Sequence, residues 1–155
     1  MFHFSASNVR DKSSAVPESV IRYSSPSCPL LEMGASTFSL MEEMISASVG
    51  GTGSDLGVFR VDREVLDREP DLVFVEFAVN DSGTKAKAMF CSLEGIVRKI
   101  RRRRPQCDIC FVYTVNAAMT PTLRMGFLPP SLSAHEIVAE HYGIPSINMG
   151  LEVAE

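Results

Sequence analysis

The sequence predicts an α/β protein, a three-layer α/β/α sandwich built on a parallel sheet. Three observations carry that expectation. From about Met41 short apolar runs alternate with amphipathic stretches, as when strands and helices take turns. The run DLVFVEFAV at 71–79 is almost wholly apolar, as strands covered on both faces tend to be. The order strand, helix, strand, helix, strand, helix, strand is the one that right-handed crossovers assemble into a parallel sheet with helices on both sides.

The first strand is expected at 44–49, MISASV, ending in the glycine-rich turn GGTGSDLG. Ser54 or Asp55 is placed to cap a helix that runs to Arg68, with Pro70 closing it. The strand 71–79 stops at Asn80 and Asp81. A helix over 84–103 follows, with Ala86, Phe90, Leu93, Val97 and Ile100 near 3.6 spacing and Pro105 terminating it. CDICFVYTV at 107–115 reads as a buried strand, and 116–130, with three prolines, as a loop. A helix over 131–142 ends at Gly143, and 144–148 is the last short strand.

Residues 1–37 differ: Ser and Pro are frequent and no period persists, so they read as a variable or poorly ordered leader before a domain over 38–155. The chain of 155 residues is of one-domain size, and 45% hydrophobic with 22% charged residues is an ordinary globular composition. A formal charge of -4 provides no positive field for nucleic acid, and no apolar run is long enough to span a bilayer. The first residues lack the basic and apolar regions of a secretory signal. Compartment and oligomeric state are not legible.

Several suggestive residues have a plainer reading. Cys107 and Cys110 form a C-x-x-C, but on a strand positions three apart point to opposite faces and cannot share a ligand. No cofactor or metal is therefore expected. His135 and His141 stand six apart on one helix, about 120° around its axis, and are expected on a partly exposed face. Arg101 to Arg104 suit the negative end of a helix dipole, and Met119, Met125 and Met149 read as packing residues.

In parallel sheets ligands gather outside the carboxyl ends of the strands. Two polar features fall there: the turn 50–57 and the pair Asn80–Asp81. Glycine tolerates positive φ and lets backbone N–H groups approach a ligand, and a carboxamide at a strand end donates into the same space. Two such donors converging on developing negative charge are the parts of an oxyanion hole. The plainer reading is a turn opener after a strand and glycines kept for tight packing.

The segment SASVGGTGSDLGVFRVDREVLDREPDLVFVEFAVND resembles the second and third sequence blocks of the SGNH hydrolases, also called GDSL-type esterases and lipases. The likeness is close over about 44–83 and continues more weakly through VYTVNAAM and HEIVAEHYGIPSIN. It implies a flavodoxin-like sheet and an ester-hydrolysing activity of the serine esterase class. It also implies that Gly51 gives a backbone N–H and Asn80 a side-chain amide to an oxyanion hole. Ala78 stands where the third block usually has glycine, and Ser46 where the second often has asparagine; neither change removes a donor.

The attacking half of that machinery is not found. No Gly-Asp-Ser occurs, and Ser36 in GAST is too close to Gly51 for a helix and a strand to fit between. No histidine has an aspartate three residues earlier, as the family's last block requires. Nucleophile and general base are thus unidentified, and the chain is expected to be weakly active or inactive, as a truncated or degenerate member. Its implied partner is a small-molecule ester or acylated carbohydrate. The alternative is a non-catalytic module that binds acyl groups, carbohydrate or protein; a nucleotide site is a third reading, loosely imitated by Gly51-x-Gly53 with Asp81. In the family's strand order the absent first strand would lie between 44–49 and 71–79. The leader, through Val20 to Tyr23, is a candidate to fill that slot.

Overall fold

The computed structural model describes residues 5–11 and 40–154, with side chains over 44–152. Five strands form one sheet in the order β2-β1-β3-β4-β5: β1 (Ser5–Asp11), β2 (Leu40–Ser46), β3 (Leu72–Val75), β4 (Asp108–Tyr113) and β5 (Ser146–Asn148). The helices are α1 (Ser54–Glu64), α2 (Ala86–Arg103), α3 (Thr120–Arg124), α4 (Pro130–Tyr142) and α5 (Met149–Ala154). The α/β class agrees with the sequence expectation, and β3, β4 and β5 are parallel.

The slot between β2 and β3 is occupied by β1, which comes from within 1–37. Val20 to Tyr23, the expected filler, lie outside the described residues. The direction of β1 departs from the expected all-parallel sheet: it runs antiparallel to both neighbours, with Ser5 opposite Ser46 and Asp11 opposite Leu40 on one side, and Ser5 opposite Phe74 on the other. An antiparallel pair needs no crossover, because the end of one strand already faces the start of the next. Pairing with β1 also draws β2 back to Leu40, earlier than the expected 44, while Ala47 to Val49 leave the ladder. Glu42 and Glu43 fall within β2, where an edge strand of the described sheet tolerates charge.

β2, β3, β4 and β5 run the same way, and each crossover advances in the same direction along the sheet. Right-handed connections then set α1, α2 and α4 side by side on one face, where α1 packs on α2 and α2 on α4. Gly95 permits the close approach of α1: a Cβ there would stand 2.7 Å from Cγ2 of Val58. The core lies between this row and the sheet, with Val61, Val65, Val73, Val75, Leu93, Ile96, Val97, Ile100, Phe111 and Leu132 all buried. Ala86 and Phe90, expected on the apolar stripe of α2, are exposed and half-buried; Met89, Ser92 and Ile96 carry the stripe with Leu93, Val97 and Ile100. On the opposite sheet face Leu72, Phe74, Cys110 and Ile147 line a cavity of about 530 Å³.

Other boundaries moved for local reasons. The first helix stops at Glu64, and a 3-10 turn, Leu66–Arg68, takes the chain to Glu69 at φ 52 before Pro70. β3 ends at Val75 because the ladder with β4 ends there, at Val75 opposite Phe111. Gly143 caps α4 at φ 60, as expected. The loop 116–130 contains α3, a helix that the prolines concealed; Pro121 sits in its first turn, where a missing N–H costs nothing. The arginines closing α2 are spent on neighbours: Arg103 meets Asp62 and Asp67, and Arg104 meets Asp71.

Candidate functional site

The turn after β2 and the segment after β3 meet at the carboxyl edge of the sheet. Thr52 closes the turn by donating its hydroxyl to the Val49 carbonyl at 2.8 Å. Gly51 has φ 76 with open space where a Cβ would be, so backbone conformation, and not crowding, requires glycine there. On the other side, Asp81 N–H to Phe77 O at 2.9 Å tightens the chain into the 3-10 turn Asn80–Gly83. The carboxamide of Asn80 then donates to the Thr52 carbonyl at 2.9 Å. Gly51 and Asn80 therefore share one rim, with Thr52 between them. A carboxamide nitrogen carries two N–H groups, so this bond leaves one for a further acceptor.

Beneath that rim is a pair of groups the sequence reading did not join. Asp81 is wholly buried; Oδ1 accepts the backbone N–H of Ser54 at 2.9 Å, and Oδ2 lies 2.9 Å from Nε2 of His135. The N-cap of α1 is Gly53, and neither Ser54 nor Asp55 caps it: a carboxylate 27 residues on does the work of a cap. Gly53 is glycine because of it, since a Cβ there would be 2.5 Å from Asp81 Oδ1. Both carboxylate oxygens are spent inside the protein, which leaves nothing of Asp81 to meet a ribose hydroxyl.

His135 corrects an expectation. It is fully buried, edge-on to the rings of Phe111 (6.2 Å) and Tyr113 (6.1 Å), whereas His141 is exposed beside Tyr142. The signal was present in the spacing: Ser131, Leu132, His135, Val138 and Ala139 recur at helical intervals and all are buried. Of the methionines read as packing residues, Met119 is buried, but Met125 and Met149 are exposed.

Further buried polar groups surround the edge. Glu76 is 5% exposed; its Oε1 accepts the Thr114 hydroxyl at 2.9 Å, and its Oε2 has no partner among the described residues. Burial pushes its carboxyl above the usual range, against the opposing effect of the Thr114 bond. Tyr113 donates to Glu136 Oε2 at 2.6 Å and Ser146 donates to Oε1 at 3.1 Å, which ties β4, α4 and β5 together. Burial first, and then Glu136, raise the Tyr113 hydroxyl well above the ordinary tyrosine value. Asn116 tightens the turn that precedes α3, accepting from the N–H groups of Ala118 and Met119.

The thiols of Cys107 and Cys110 are free and buried, each donating to the carbonyl of the following residue. Among the described residues no group of three or more His, Cys, Asp or Glu is arranged to hold a metal ion, and no helix is long and apolar enough to cross a membrane. Ser36, set aside as a nucleophile in the sequence reading, and His3 lie outside the described residues.

No family model and no curated protein matches the chain. Among solved structures it is similar to a two-domain esterase, CEX, active on acetylated mannans, seen alone and co-crystallized with mannopentaose. Each likeness has 32% sequence identity and a TM-score of 0.56, and covers 68% of this chain. The chain spans about a quarter, 26%, of the esterase's length. The α/β architecture is thus similar to part of that esterase.

Proposed function

We propose that residues 38–155, with β1 added from the leader, are part of an SGNH-type hydrolase domain that keeps the oxyanion-binding rim, Gly51 and Asn80. The substrate class is a small ester, in particular an acetylated carbohydrate. The observation that carries this reading is the bond from Asn80 to Thr52, which sets a carboxamide beside the left-handed glycine turn. The likeness to an esterase active on acetylated mannans supports the substrate class. A preorganised donor of this kind is worth about 3 to 4 kcal/mol when negative charge develops on the acyl oxygen.

The attacking half is not supplied by the described histidines. His135 is sealed against Asp81, and His141 sits on the exposed face of α4. Oxyanion stabilisation and binding without nucleophile and base leave only about 10³ to 10⁴ over water, so turnover by this chain is expected to be near background. That same sealing of His135 favours the second reading, a non-catalytic module that binds acylated carbohydrate at the rim.

Purified protein assayed on p-nitrophenyl acetate and on acetylated mannan, with a fluorophosphonate probe alongside, tests the proposal. Expected are background acetate release, no stoichiometric labelling, and saturable binding of an acetylated manno-oligosaccharide that Asn80→Ala abolishes. Robust hydrolysis with stoichiometric labelling, lost in Asn80→Ala, would mean that the chain carries its own nucleophile. Binding and turnover both indifferent to Asn80→Ala would refute the rim.

A further inference from the structure

We propose that Asp81 and His135 are a buried positioning pair that fixes the spacing of the two rim donors, Gly51 and Asn80, and makes it depend on the seating of α4. The inference rests on the rim assignment above and goes beyond it. Neither side chain is reached by solvent, so neither touches a ligand; any effect on the rim passes through Asn80 and the turn.

The geometry is a two-point clamp. Asn80 and Asp81 are consecutive, and they grip two positions of the opposite turn with opposite polarity. Asn80 donates to the carbonyl of Thr52, and Asp81 accepts the N–H of Ser54. The two bonds run with opposite polarity and hold the turn at two points, the carbonyl of Thr52 and the N–H of Ser54. Gly51 lies directly before the gripped segment and moves with it.

The clamp needs Asp81 held in one rotamer, and His135 does that. Oδ2 lies 2.9 Å from Nε2, and the imidazole is itself held edge-on by Phe111 and Tyr113 of β4. Nδ1 of His135 has no partner among the described residues. A bare ring nitrogen is tolerated there better than a buried unpaired N–H, which favours the tautomer with the proton on Nε2, donated to Asp81. The other carboxylate oxygen of Asp81 accepts the first N–H of α1. Gly53, lacking a Cβ, lets the carboxylate come this close to the turn, since a Cβ there would stand 2.5 Å from Oδ1. Donor placement to within about 0.5 Å is the tolerance a preorganised site requires.

Nuclear magnetic resonance on the labelled full chain tests this without turnover. In the wild type, a long-range proton–nitrogen spectrum should show His135 protonated on Nε2 and bare on Nδ1; the reverse tautomer overturns the proposal. His135→Leu is expected to shift the Asn80 carboxamide and the 51–54 amides by several linewidths. It should also speed exchange of the Ser54 amide at least about 10-fold, while the amides of Tyr113 and Ser146 hold. His135→Gln, whose side-chain N–H can reach Asp81, should restore the wild-type signals. Unmoved rim signals in His135→Leu, or a uniform change over the whole sheet that His135→Gln does not reverse, would refute a positioning role. If His135→Leu does not fold, Asp81→Asn decides: it must move the same rim signals, and their constancy refutes the pair. Wild-type protein that shows the Nε2 form yet binds no acylated sugar would remove the proposed function and leave the pair standing.

Discussion

The Nε2 of His135 and the Oδ2 of Asp81, 54 residues apart in the chain, meet at 2.9 Å, each side chain wholly enclosed. The contact joins α4 to the turn after β3, and through Ser54 to the start of α1. Three segments are thus fastened at one carboxylate, directly under the rim that carries Asn80.

Removing that carboxylate leaves the Ser54 N–H and the His135 ring unpaired in the interior. Asp81→Ala is expected to lower the unfolding free energy by at least about 2 kcal/mol, since each of the two buried donors left unpaired costs about 1 to 3 kcal/mol. Urea denaturation of the two proteins reads the difference, and a loss under about 1 kcal/mol would show that the pair is not a stabilising contact.

Two glycines of the same turn should respond to substitution unequally. Gly53→Ala drives a methyl to within 2.5 Å of Asp81 Oδ1 and 3.0 Å of Asp55 Oδ1 and is expected to cost about 1 to 3 kcal/mol. Gly50→Ala meets nothing within 4 Å and should be neutral to within about 0.5 kcal/mol. Thermal unfolding of both variants checks the contrast; equal midpoints would contradict it.

Glu76 gives the protein a pH dependence of a definite sign. Its carboxyl is raised in the folded state by burial, so its contribution to stability is complete below the ordinary glutamate range. That contribution is lost as pH climbs through the raised folded value, because the folded state then carries a poorly solvated charge. The stability of Glu76→Gln relative to wild type is therefore expected to increase from pH 4 to pH 8. Denaturant midpoints for both proteins across that interval measure it, and a flat or falling difference would count against the buried charge.

Thiol chemistry should discriminate among the described cysteines. Burial pushes Cys107 up to about 11 and raises Cys110 as well, whereas Cys91 is exposed on α2. Iodoacetamide at pH 8 should modify Cys91 and spare Cys107 and Cys110 until denaturant is added. Peptide mass spectrometry would reveal early labelling of either buried thiol.

The elements most legible in the sequence were those whose pattern is local. The period of α2, the apolar run of β3 and the glycine that closes α4 each follow from neighbours within a turn or two of chain. The resemblance over 44–83 brought Gly51 and Asn80 into one hypothesis, and Asn80 bonds to Thr52, the residue after Gly51. The burial of His135 was written in the spacing of α4, but a histidine among small and apolar residues does not declare its partner.

By itself the sequence determined the α/β alternation, the glycine that closes α4, and the polar pair Asn80–Asp81 beyond the carboxyl end of β3. Only the tertiary structure decided that β1 enters the sheet reversed, that α1 takes its cap from Asp81, and that His135 faces inward to meet it. The reason is range. Helix period and turn chemistry are set by contacts a few residues apart, whereas strand order and a buried pair depend on which distant surfaces the packed core brings together.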